Sequence, residues 1–123
     1  MIKLARTLLV FAALTAFVMA IMPQPPQPPF LTSDKLQHMA AFALLAGLAA
    51  AAFPAAPPIV PFAGLALFGG LIELVQKMPI IRRDGDWFDW LTDLGASAVV
   101  LIVVELRRRH LRRQAAALAT LAE

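Results

Sequence analysis

The chain has 123 residues, enough for one domain. It is 60% hydrophobic and 15% charged, with a mean hydropathy of +0.74, whereas soluble domains carry about a quarter charged residues. The lack of cysteine excludes disulfides, thiolate catalysis and Cys-ligated zinc or iron–sulfur sites. The net charge of +3 does not point to nucleic acid. Five of the eleven basic residues (Arg107, Arg108, Arg109, Arg112 and Arg113) follow directly on an apolar run. Basic residues placed there set topology and meet anionic lipid headgroups.

Lys3 and Arg6 open the chain, and the apolar run from Thr7 to Met22 predicts a helix near 4–22. Val18-Met19-Ala20 has the small-x-small pattern of a cleavage site, but the run is long for a signal-peptide core and is read as a retained span. Residues 23–29, PQPPQPP, favour a stiff polyproline II spacer. Ser33 and Asp34 then supply an N-cap, and Asp34 with Gln37 has capping-box spacing. Met39 to Ile72 carries no charge and is too long for one span. Pro54, Pro57, Pro58 and Pro61 divide it, predicting helices near 35–53 and 59–77. Ala43, Gly47 and Ala51, with Ala66 and Gly70, have the spacing of a close-packing seam. The fourth helix is expected near 87–106, with a basic cytoplasmic tail over 107–123.

These elements predict an all-α integral membrane four-helix bundle, one domain over residues 1–123. The positive-inside rule puts both termini in the cytoplasm and turns the 23–34 and 78–86 connections outward. Asp34, His38, Glu73, Gln76, Arg83, Asp86, Asp89 and Asp93 then converge on the outer face, and the opposite ends hold no comparable set.

Asp86, Asp89 and Asp93 fall at i, i+3 and i+7, one stripe of a helix. Asp86 suits a cap and the helix dipole. Asp93 lies roughly 9 Å deeper than Trp87 at about 1.5 Å per residue, where a carboxylate needs a partner or a cavity. Three neutralisers are open: Arg82 or Arg83 folding back, a protonated His38 across the interface, or a metal ion on His38, Glu73, Asp89 and Asp93; a proton shared between the carboxylates is the remaining alternative. Glu73 has Lys77 at i+4, yet also faces the cluster. Trp87 and Trp90 have the positions of interfacial anchors, and Gly85 suits a turn.

DKLQH at 34–38, ELVQ at 73–76 and the run Arg83-x-x-Asp86-x-x-Asp89-x-x-x-Asp93-x-Gly95 together resemble the VanZ-like family of small bacterial membrane proteins. The resemblance spans residues 30–105. The chain departs from the family pattern in carrying Asp93 where many members have Asn, and Gly95 one position early. The resemblance implies a multi-pass protein of the bacterial cytoplasmic membrane and cell envelope, and a link to resistance against the glycopeptide teicoplanin. Beside it stand three readings of the polar cluster. The leading one is a module that binds an anionic or glycan lipid headgroup, such as a lipid-linked wall precursor. The others are a membrane hydrolase or transferase acting on a lipid-linked substrate, and an assembly role in which the charges set helix registry. No Ser–His–Asp, phosphate-loop or HExxH pattern names a reaction, so whether the protein is an enzyme stays open. Membrane lipids are the expected partners, no nucleic acid is, and the oligomeric state is not specified.

Overall fold

The computed structural model describes residues 1–23, 33–81 and 85–121. Among these residues the chain is all-helical, with no strand. Its four helices are α1 (Ile2–Ile21), α2 (Asp34–Ala52), α3 (Ile59–Gln76) and α4 (Trp87–Thr120). Each is long and apolar enough to cross a membrane. Pro54 follows the last residue of the α2 cap, and Pro58 is the N-cap of α3. Pro61 falls in the first turn of α3, where its missing N–H leaves no helical bond unmade.

Three helices match the sequence expectation within two residues; α4 does not. It runs on through the expected tail to Thr120, because Arg, Leu, Gln and Ala dominate 107–120 and neither Gly nor Pro interrupts them. Glu105 also accepts from Arg109 at 2.7 Å, one turn on. At about 1.5 Å per residue α4 is some 50 Å long, against roughly 30 Å of bilayer hydrocarbon.

Successive helices alternate in direction, so α2 and α4 run parallel and start at the same end. Helix α2 is central: it packs on α1, α3 and α4, whereas the α1 and α4 backbones come no closer than 8 Å between Cα atoms among the described residues. Phe42, Leu45, Ala46 and Ala50 of α2 meet Leu65 and Ile72 of α3 and Leu101 of α4 in the core. The outward faces stay apolar. Leu14, Leu44, Leu67, Leu74, Val99 and Ile102 are each more than half exposed. A helix in water turns polar residues outward, and an apolar exterior is what lipid covers.

Among the glycines within helices, the tightest approach is not at the expected small-residue seam. A Cβ on Gly47 would meet nothing within 4 Å, while one on Gly69 would lie 3.1 Å from Trp90 Cδ1 and 3.2 Å from Phe42 Cζ. Gly69 thus admits two aromatic rings between three helices. Trp90 also donates its indole N–H to the Ala66 carbonyl at 2.9 Å. This bond joins α3 to α4.

Candidate functional site

The shared starting end of α2 and α4 is acidic. Asp86 is the N-cap of α4 and accepts from the Phe88 backbone N–H at 2.9 Å. That N–H, with Lys35 alongside, holds the Asp86 carboxyl below its ordinary value. Ser33 is the N-cap of α2 and makes no side-chain cap bond. The capping box on Asp34 and Gln37 therefore lacks its register, since Asp34 is already inside the helix. The Asp34 side chain and Arg83 lie outside the described residues, as does Arg82.

Two cross-helix contacts join α2 to α4 here. The Lys35 ammonium lies 2.8 Å from Asp89 Oδ1 and 3.3 Å from Asp86 Oδ2, bridging both carboxylates. One turn deeper, His38 Nδ1 lies 3.2 Å from Asp93 Oδ2. The parallel packing produces this ladder. Lys35 and His38 are i,i+3 on α2, Asp89 and Asp93 are i,i+4 on α4, and helices starting at one end bring equal depths together. Of the three expected neutralisers, the described geometry contains the histidine. Lys35 is a further cationic partner beside those expected, while the arginine alternative lies outside the described residues.

Glu73, near the end of α3, is completely buried. Neither of its oxygens has a hydrogen-bond partner among the described residues. Its i+4 pairing with Lys77 is not formed, because the Lys77 ammonium sits over the Trp87 ring, 4.1 Å from the centroid. Gly85 seats the chain onto the end of α3: a Cβ there would lie 2.8 Å from the Glu73 carbonyl oxygen and 3.3 Å from Glu73 Oε2. Close approach, beyond a turn preference, requires glycine. Asp93 Oδ1 and Ser97 Oγ are also buried and without partners. Ser97 was missed in the sequence, although it continues the 89–93 stripe by one turn. No three His, Asp or Glu side chains among the described residues are arranged to hold a metal ion.

Gln76 has a structural task, donating to the Ala20 carbonyl at 3.0 Å, which ties the ends of α3 and α1 together. Trp87 is about half exposed at the rim and meets Trp90 edge-on, with centroids 5.8 Å apart.

The opposite end has its own polar set, unlike the expectation. Arg108 donates to the Ala50 carbonyl at 2.6 Å, and Arg6 Nε to the Ala52 carbonyl at 3.2 Å. Two arginines from distant parts of the chain thereby satisfy the last carbonyls of α2, where the helix dipole is negative. Arg107, Arg112 and Arg113 remain exposed, and Arg109 is paired with Glu105.

No protein-family model, curated protein or solved structure matches this chain.

Proposed function

We propose that the chain is a VanZ-like multi-pass protein of the bacterial cytoplasmic membrane. In this reading both termini are cytoplasmic, and the acidic end faces outward to bind an anionic or glycan lipid headgroup. The observation that carries it is the half-exposed Lys35 bridging Asp86 and Asp89 beside the Lys77–Trp87 pair. An ammonium has three N–H donors. Two point at carboxylates, which fix the group and leave the third for a ligand, and an exposed aromatic face lies alongside. A lipid-linked wall precursor offers both phosphate and sugar to such a rim, and a change in teicoplanin susceptibility follows from holding it. The motifs at 34–38, 73–76 and 83–95 support the family reading.

Both tryptophans of the chain lie at this end, so intrinsic fluorescence reports it without a label. In nanodiscs, a polyprenyl diphosphate, with or without an attached glycan, should change the emission saturably. Lys35→Gln should weaken that response about tenfold, equivalent to roughly 1.4 kcal/mol, with Tm close to wild type. An emission that responds to neither ligand would sink the binding reading.

The buried, unpartnered Glu73 favours the membrane-enzyme reading in second place, with Glu73, His38, Asp89 and Asp93 as acid and base. There, Glu73→Gln abolishes turnover of a lipid-linked substrate in a protein that still folds and inserts.

A further inference from the structure

We infer that the arginine end holds an anionic phospholipid, its acyl chain in a groove between α1, α2 and α3 and its phosphate at Arg6. The inference rests on the membrane reading and is independent of the headgroup site at the acidic end.

The groove has a volume of about 250 Å³, and its lining includes Leu9 of α1, Ala49 and Phe53 at the end of α2, and Val60, Gly64 and Leu65 of α3. It exists because α1 leans on α2 and touches α3 far less. Gly64 deepens it, since a Cβ at this position would meet nothing within 4 Å. Phe53, Val60 and Gly64 are exposed, so the groove opens sideways, where a spanning bundle meets lipid.

Charge selects the occupant. The Arg6 guanidinium lies 5.2 Å from the centroid of the ring of Phe53, which lines the groove, and one turn from Leu9, which lines it too. Its Nε is committed to the Ala52 carbonyl, which fixes the group and leaves the terminal N–H donors outward. The N-terminus of α3 adjoins it with no side-chain cap and no acid in its first turn. Its positive dipole end therefore adds to the Arg6 charge. An acyl chain matches the apolar lining, and a phosphate matches the two positive features at its mouth. A zwitterionic lipid carries the same phosphate with a compensating cation that these positive features repel, and a peptide helix carries no phosphate.

The test is native mass spectrometry of the full chain, released from detergent micelles containing phosphatidylglycerol and phosphatidylcholine with identical acyl chains. Wild type should retain phosphatidylglycerol in preference. Gly64→Leu, which fills the groove, and Val60→Phe, which narrows it, should lose most of that preference with every arginine still present. Arg6→Gln should lose it as well, Arg6→Lys should keep part, and a double Arg112→Gln/Arg113→Gln change should leave it intact. Emission from Trp87 and Trp90, at the far end, checks that each variant is folded. Equal retention of both lipids by wild type, or an unchanged preference in folded Gly64→Leu and Val60→Phe, would overturn the groove while leaving the membrane reading standing. A wild type that stays soluble without detergent and retains neither lipid would overturn both.

Discussion

The two ends of the bundle apply the same electrostatic rule with opposite charges. At the acidic end two helix N-termini meet Asp86, Asp89 and Asp93; at the other, the α2 C-terminus meets Arg6 and Arg108. Carboxylates suit the positive end of a helix dipole and cations the negative end. The ends differ in what is left over. At the arginine end the side chains finish the backbone, each guanidinium taking a carbonyl that the helix cannot use. At the acidic end side chains pair mainly with one another, and buried oxygens on Glu73, Asp93 and Ser97 have no hydrogen-bond partner among the described residues. At one end the charges complete the end of α2. Among the described residues the other retains an unpaired polar remainder, which supports the proposal of a headgroup site or a reaction there.

The largest expected effect breaks the acidic end. His38→Leu leaves Asp93 buried without its cross-helix partner and should cost about 3–5 kcal/mol in detergent unfolding. The double change His38→Leu/Asp93→Leu should recover most of that loss, because an apolar pair replaces a buried polar one. A double variant no more stable than the single one would mean that the pair does not act as a unit.

Gly85→Val comes next, at about 1–3 kcal/mol. Its added carbon would lie 2.8 Å from the Glu73 backbone oxygen, so the chain must lift from the end of α3. Tryptophan emission should shift with it. An unchanged Tm and spectrum would show that the close approach at Gly85 does not govern this end.

Arg108→Gln sharpens the other side of the comparison, with an expected loss of about 0.3–1 kcal/mol from the α2 C-terminus. The headgroup response at the acidic end should not move. A loss as large as that of His38→Leu would contradict the view that this end is merely finished by its arginines.

The smallest effect concerns pH. The folded-state pKa of Asp86 is lowered, chiefly by the Phe88 N–H. Its contribution is therefore fully present above the unfolded aspartate pKa and is lost as pH falls through the lowered folded value. Asp86→Asn keeps a cap without a charge. Its melting temperature should fall less than that of wild type as pH drops through the carboxylate range; parallel curves would remove Asp86 as a titrating cap.

Much of this was legible in the chain, for identifiable reasons. Apolar run length and the prolines at 54–61 located the first three helices, and the 86–89–93 stripe with His38 located the cluster. The partnership of Lys35 was hidden because it depends on α2 and α4 being direct neighbours, which the alternation of spans does not dictate. The extent of α4 was readable in principle, since 107–120 holds strong helix formers, but the charge run suggested a tail. Trp90 and Gly69 became a packing pair only through contact between α3 and α4. Arg6 and Arg108 read as topology signals, and nothing local announced that they would end on α2 carbonyls.

The most direct test is single-cysteine labelling in intact cells with a membrane-impermeant maleimide, made simple by the absence of native cysteine. Ile80, beside the acidic end, and Leu118, beyond the arginine end, are both well exposed. Ile80→Cys should label on intact cells and Leu118→Cys only after lysis. The reverse pattern, or labelling of both from outside, would contradict the placement of the two ends on opposite sides of the membrane.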